Sequence, residues 1–581
     1  MRRLFALAAL VALCAIPLTA AQPAGATAAA PSAASAATAQ IEGSGSTWAE
    51  NAINQWISDV QARQNLQVVY DGLGSATGRS QFTFDTTDFA VSDIGYQGVD
   101  ASTGSNDTNC QKWNPLADCR AFAYLPIVAG GTSFPYQIRV GGKLVTNLRL
   151  SGETIAKIFT LQITNWDNPE ITKDNNGFPD LPAHHLPDLP IIPIVDSEGS
   201  GGSAQFTAYL AALYPALWHQ FSGTSVSTEY FPRQGAERAE PGSDGIIDFI
   251  TSAAGNGAIG YDEYSYAKGE QCTGCTDGWP VALLENTAGY FTAPTQYNVA
   301  VALTKAQINM DKSSPDYLLQ KLGNVYTNPD KRAYAMSSYS YMLIPTSAND
   351  PRLGKTAAPR AQTLADFIDW SVCGGQAEMG PTGYSPLPIN LAQASFEQMY
   401  KLHTADKAVQ IGQLNIAKDC DNPTFWAGHP DGNFLAKIAP EPPSCDKAGQ
   451  GPCEGSSGVG STGNPGKNGK PPAPAGGSTT PPSESSSPAS STGSSTSPSP
   501  GASAGASSPG VAGAATSSGS NNTGALAGSP ASLAESDNSS IGVVLAVLAA
   551  FELLLLLLIP AIVARRRQQR DAAQPPRGGA A

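Results

Sequence analysis

One junction recurs in this chain and restricts its folding more than any other feature. A run of small residues leads directly into a segment with helical apolar spacing. Gly199-Ser200-Gly201-Gly202-Ser203 precedes Phe206, Tyr209, Leu210 and Leu213, which share one helical face. A helix that starts this way leaves backbone N–H groups unpaired at the positive end of its dipole. Glycines let a ligand approach those groups, and Ser200 adds a hydroxyl, so the junction predicts a cradle for an oxyanion. The alternative is an ordinary glycine-rich loop.

The pattern repeats. Gly43-Ser44-Gly45-Ser46-Thr47-Trp48 precedes Ile53, Trp56, Ile57 and Val60, and Thr47 and Glu50 have capping-box spacing. A β-rich run over 66–70 then leads to Gly72-Leu73-Gly74-Ser75-Ala76-Thr77-Gly78, where Ser75 is predicted to cap a helix carrying Arg79 and Phe82. Residues 88–93 read as a buried strand ending in the carboxylate of Asp93. Three loop-to-helix junctions and one strand-end Asp predict an α/β domain whose site is assembled from separated segments. Farther on, Val299 to Leu303 and Ser340 to Ile344 read as strands, and Leu364 to Val372 as a helix.

The ends of the 581-residue chain lie outside any folded domain. Residues 1–21 combine Met1-Arg2-Arg3, an apolar run and small residues at Ala20 and Ala21, and predict a secretory signal peptide. Cys14 follows the bulky Leu13, which does not suit a lipobox. Residues 22–40 read as a disordered Ala-rich leader, and 41–453 as the folded domain. Residues 454–540 are Gly, Ser, Pro, Ala and Thr with almost no large apolar side chain, so they cannot bury a core and predict a disordered stalk. Residues 541–564 are almost unbroken apolar sequence, about 36 Å as a helix, enough to cross a bilayer. The basic tail over 565–581 places that end in the cytoplasm and the large domain outside the cell. Glu552 lies mid-span, either protonated among leucines or hydrogen-bonded to a partner helix.

The formal net charge of −14 argues against nucleic acid as a partner. Of nine cysteines, eight lie beyond the signal peptide, and an even number outside the cell predicts disulfides. Closeness in sequence favours Cys110–Cys119, Cys272–Cys275, Cys373–Cys420 and Cys445–Cys453. Connectivity is not deducible from sequence, and Cys272-Thr273-Gly274-Cys275 also allows a redox or half-zinc reading. His184 and His185 read as loop residues. No cofactor or metal is expected. Within residues 41–453 no Gly-x-Ser-x-Gly elbow or His-Glu-x-x-His motif occurs, so an enzyme is not expected.

From about Ile41 to Leu402 the chain resembles the PstS-like phosphate-binding proteins of ABC-type importers. The resemblance runs through the loop 43–48, the loop 70–75, the strand 88–93, Leu150-Ser151-Gly152-Glu153-Thr154-Ile155, Asn165-Trp166-Asp167, Glu198-Gly199-Ser200-Gly201, and the stretch 257–267. It implies a two-lobed periplasmic-binding-protein-like domain, type II-like, with phosphate or a related small oxyanion held between the lobes. It also implies delivery to an ABC transporter permease. Carried over by position, the ligand-binding residues are Thr47, Trp48, Ser75, Asp93, Ser200, Gly201 and Gly202. Asp93, an acceptor only, would favour an anion that still carries a proton. One departure stands out: where the family has Arg before the Gly-Ser-Gly loop, this chain has Asp196. Arg79, Arg233 and Arg238 are the candidates to replace that charge. The alternative function is a membrane-anchored surface receptor, or an adhesion or wall protein, built on a degenerate phosphate-binding fold.

Overall fold

A computed structural model describes residues 39–99, 106–107 and 120–453, apart from 274, 276, 354–357, 413, 414 and 431. The labelled strands are β1 (Ile41–Gly45), β2 (Val68–Gly72), β3 (Phe89–Ser92), β4 (Phe122–Ser133), β5 (Arg149–Leu150), β6 (Ile192–Asp196), β7 (Arg238–Glu240), β8 (Ala258–Gly260), β9 (Asp262–Glu263), β10 (Leu283–Glu285), β11 (Phe291–Thr292) and β12 (Ser337–Pro345). The labelled helices are α1 (Glu50–Gln64), α2 (Ser75–Thr83), α3 (Gly152–Phe159), α4 (Gly201–Leu213), α5 (Gly242–Thr251), α6 (Tyr264–Gly269) and α7 (Ala358–Val372).

Two sheets organise the domain. The first has the order β9-β4-β12-β3-β1-β2, and the second β7-β6-β8. In the first, β1 is parallel to both neighbours, with Ile41 opposite Val68 and Gly43 opposite Phe89. β12 is antiparallel to β3 and β4 and buried along its whole length. In the second, β6 is parallel to both partners. Parallel strands joined through helices put the helix N-termini beyond the carboxyl ends of the strands, where ligands of such sheets bind. The chain crosses between the sheets twice. After β4, Gln137 N donates to Ala258 O (2.9 Å). The return runs from β8 into β9, where Asp262 and Glu263 pair with Ser133 and Thr132. A smaller sheet, β11-β10-β5, adjoins the first crossing, where Ala282 N donates to Phe134 O (2.9 Å).

Most elements follow the sequence pattern. α4 buries Phe206, Tyr209 and Leu210, as its spacing predicts. Phe206 lies among Phe134, Phe159, Phe231 and Tyr261, with ring centroids 4.8–6.2 Å from its own. This aromatic cluster anchors the helix behind its N-terminus. β12 and α7 include the predicted strand 340–344 and helix 364–372.

Three local expectations are corrected. Val299 to Leu303 belongs to a helix, Gln296–Leu303, because its buried run is wrapped on all sides and has no strand partner. Thr47 does not cap α1; the Oγ of Ser46 accepts from Ala49 N (3.1 Å) instead. Ser75 does not cap α2, since its hydroxyl donates to Asp93.

Three predicted disulfides are present: Cys272–Cys275, Cys373–Cys420 and Cys445–Cys453. This removes the half-zinc reading of Cys272 and Cys275. Cys110 and Cys119 lie outside the described residues, as do the signal peptide, the leader before residue 39, the stalk, the 541–564 span with Glu552, and the tail. Among the described residues, no helix is long and apolar enough to cross a membrane. Residue 39, placed in the leader by the sequence, is tied to the domain: Ala39 N donates to Thr363 Oγ1 (3.0 Å).

Candidate functional site at the seam between the two sheets

The three small-residue junctions meet where the two sheets face each other. β1 ends at Gly45, whose φ of 138° disfavours a side chain. A Cβ on Gly78 of α2 would lie 2.4 Å from Gly45 Cα, so these two glycines exist for close packing of α2 on β1. That contact brings Ser46 and Ser75 over the end of β3. Ser46 Oγ reaches both carboxylate oxygens of Asp93, at 3.0 and 2.7 Å, and Ser75 Oγ donates to Oδ2 at 3.1 Å.

α4 faces this group from the other sheet. Ser200 is its N-cap, and Ser200 Oγ accepts from Gly202 N (3.1 Å) and Ser203 N (3.3 Å). A Cβ on Gly201 would lie 2.2 Å from Asp93 Oδ2 and 2.7 Å from Ser75 Oγ. The helix start therefore meets the carboxylate directly, and only glycine fits there. A Cβ on Gly202 would be 3.7 Å from the Trp48 indole. Thr47 faces α5: Ser243 Oγ donates to Thr47 Oγ1 (3.4 Å), and Tyr266 Oη donates to Thr47 O (2.6 Å). Trp48 Nε1 donates to Thr132 Oγ1 (3.2 Å). All seven residues singled out in the sequence thus lie along one seam.

The sequence reading missed several others. Ser203 Oγ donates to Asp196 Oδ2 (2.9 Å) and lies 2.6 Å from Tyr261 Oη. Gln205 Nε2 donates to Asp93 O (2.9 Å), a second tie across the seam. Only Ser46 and Ser203 had a visible signal, as hydroxyls within the small-residue runs.

The seam is rich in buried acid. Burial raises the Asp93 carboxyl above the usual range, against the pull of the Ser340, Ser46 and Ser75 hydroxyls and the Arg79 charge. Asp196 is pushed up to about 7 by burial and then by the Glu198 charge. Burial also pushes Glu263 up to about 8 and Asp262 well above its ordinary value. The candidate arginines do not offset this equally. Arg79 is fully buried and committed, donating to Ser92 Oγ (2.7 Å) and pairing with Glu229 Oε2 at 2.5 Å. Arg238 pairs with Glu240 and stacks over Phe249. Arg233 is exposed and lines a cavity of about 330 Å³ with Asp196 and Glu198. Among the described residues no cluster of His, Cys, Asp and Glu could hold a metal. His185 instead contacts Asp167 at 2.8 Å.

A PBP superfamily domain matches residues 30–374, more than half of the chain. The chain belongs to the PBP superfamily. The matched range includes the two sheets, both crossings and the seam between them. The phosphate-binding protein PstS of Pasteurella multocida is 27% identical over 391 residues, 66% of this chain and 93% of that protein. PstS of Methanocaldococcus jannaschii is 28% identical over 359 residues, 61% and 84% of the two chains. A solved high-affinity periplasmic phosphate-binding protein bound with phosphate is 19% identical, covering 66% of this chain and 100% of its own, with a TM-score of 0.46.

Proposed function

We propose that this chain is a surface-held solute-binding protein that captures phosphate, or a close oxyanion relative still carrying a proton, in the seam of its PBP domain. The observation that carries this reading is Asp93, held by two serine hydroxyls directly opposite the N-terminus of α4. The backbone N–H of Gly201 and the hydroxyls of Thr47 and Ser200 supply donors to anion oxygens, joined by Gly202 N and Ser75 Oγ when these turn from Ser200 Oγ and Asp93 to the ligand. Trp48 adds its backbone N–H. Asp93 accepts the proton that hydrogen phosphate retains and sulfate lacks. The naming of the PstS relatives as phosphate-binding supports the same ligand.

Asp196 is part of the reading. With its carboxyl raised to about 7, it is largely protonated in mildly acidic medium and can donate where the resembling family has an arginine. Above pH 7 it becomes a charge that repels the anion. Residues 541–564 and the basic tail support anchoring at the cell membrane, and the PstS relationship supports delivery to an ABC permease.

Calorimetric titration of the full chain at fixed salt tests this reading. Wild type is expected to bind phosphate more tightly than sulfate, and more tightly at pH 6 than at pH 8.5. Asp93→Asn should narrow the preference for phosphate over sulfate, since an amide donates where the carboxylate cannot. Asp196→Asn should flatten the pH dependence. Asp196→Arg should tighten phosphate binding about tenfold to a hundredfold, the range of one charge-assisted hydrogen bond. If wild type gives no heat with millimolar phosphate but Asp196→Arg binds, the fold has been kept for an adhesive or receptor role. If neither binds, the seam is not the ligand site.

A further inference from the structure

The two ends of α4 face different chemistry. Its N-terminus meets the seam. Its C-terminus, twelve residues on and therefore about 18 Å away, opens into a separate cavity of about 490 Å³. That volume suits a small organic ligand. None of the seam residues lines it.

The walls of this cavity have a consistent character. Tyr209, Tyr214 and Tyr326 supply aromatic surface, with Tyr209 edge-to-face to Tyr326 at 5.4 Å and to Tyr214 at 5.9 Å. Three carboxylates line it: Glu153, Asp174 and Glu285. Glu153 is exposed and paired with Lys157 (2.9 Å). Asp174 is partly engaged, its Oδ2 accepting from Ser151 N and Thr154 Oγ1, both at 2.7 Å. Glu285 is half-buried at the end of β10, and its carboxylate has neither a hydrogen bond nor an ion pair among the described residues. Tyr326 is 6% exposed, and its hydroxyl likewise has no partner among them. Lys173, exposed, is the one cation in the lining among the described residues. The carboxyl end of α4 adds the negative end of its dipole. Burial, then Asp174, holds the Glu285 carboxyl above its usual range against the opposing pull of the Lys173 charge.

A carboxylate and a tyrosine hydroxyl, neither with a partner among the described residues, and tyrosine faces around them form the complement of a cation with N–H donors and an apolar stem. We propose that this second cavity binds a primary alkylammonium ion, its nitrogen donating to Glu285 and Tyr326 Oη and its stem lying against the tyrosines. The loop Ala448–Gly449, closed by the Cys445–Cys453 disulfide, forms part of the wall. The inference does not depend on what the seam binds.

The test is calorimetric titration of the full-length chain with phenethylammonium chloride against sodium chloride of equal ionic strength. Saturable one-site binding below 1 mM is expected. The N-trimethylated form of the same amine has no N–H to donate and should bind at least tenfold more weakly. Glu285→Gln should weaken the amine at least tenfold and Tyr326→Phe at least threefold, with melting temperatures close to wild type. No saturable heat up to 10 mM in wild type would overturn the proposal. Equal affinity for the trimethylated form would do the same, as would a change under threefold in both variants. Phosphate titrations run alongside keep this result separable from the reading of the seam.

Discussion

Gly201 is the residue on which the seam turns. Its hydrogen takes the place of a side chain that would penetrate Asp93 and Ser75 at 2.2 and 2.7 Å. Gly201→Ala therefore cannot bring the two sheets to their present distance without moving a buried carboxylate. The residue lies at the first position of α4, where alanine suits the helix itself. The cost should thus fall on closure and not on folding. We expect phosphate affinity to drop at least a hundredfold, with a melting temperature within about 2 °C of wild type. Calorimetric titration paired with thermal denaturation checks this, and a variant that binds normally would remove Gly201 from the site. Ser200→Ala is different in kind. It removes the cap as well as a hydroxyl, so it should destabilise the domain by about 1 kcal/mol in addition to weakening binding.

Among the elements, the contact of α2 on β1 sets the position of Ser46 and Ser75. Gly78→Ala would place a methyl 2.4 Å from Gly45 Cα and 2.7 Å from Ser44 O, both main-chain atoms that cannot swing aside. Overpacking of this kind costs about 1–3 kcal/mol. Urea denaturation should show that loss, and an unchanged midpoint would mean that α2 can shift freely. The small-residue loops, the strand 88–93 and α4 were legible because each is a local pattern: glycine density, apolar spacing, a strand-end acid. The near-neighbour cysteines were legible because short loops close easily. Val299 to Leu303 misled because a short apolar run has no period of its own, and its burial comes from surrounding chain. Ser46 displaced Thr47 as the hydroxyl at the start of α1 because the tight turn after Gly45 points it at both Ala49 N and Asp93. The pairing of Arg79 with Glu229 joins residues 150 apart in sequence, so nothing local could show that this arginine was already engaged. The same holds for Glu285 and Tyr326, which only the folded chain brings to one cavity.

At the scale of the molecule, buried acid governs how stability depends on pH. Glu50 is pushed up to about 7 by burial and then by Asp244, Asp196 to about 7, and Glu263 to about 8. Asp93 and Asp262 are raised as well. In the unfolded chain these groups return to ordinary carboxylate values near 4. Between about pH 4 and pH 8 the folded state therefore holds more protons than the unfolded state, and stability falls as pH rises through that window. The depressed carboxyls act elsewhere: Asp330, beside Arg332, and Asp311, bonded to Ser313, lie below their ordinary value and matter only in more acidic medium. The domain should therefore melt at a higher temperature at pH 5.5 than at pH 8.5. One pKa unit corresponds to about 1.4 kcal/mol, so several such groups amount to a shift of at least several degrees. Asp196→Asn combined with Glu263→Gln removes two of the titrating groups and should shrink the difference. Scanning calorimetry of wild type and the double variant, at constant ionic strength and without phosphate, measures both. A wild-type melting temperature that is equal or higher at pH 8.5 would mean that these carboxyls are solvated, and the protonated-donor role assigned to Asp196 would fall with it.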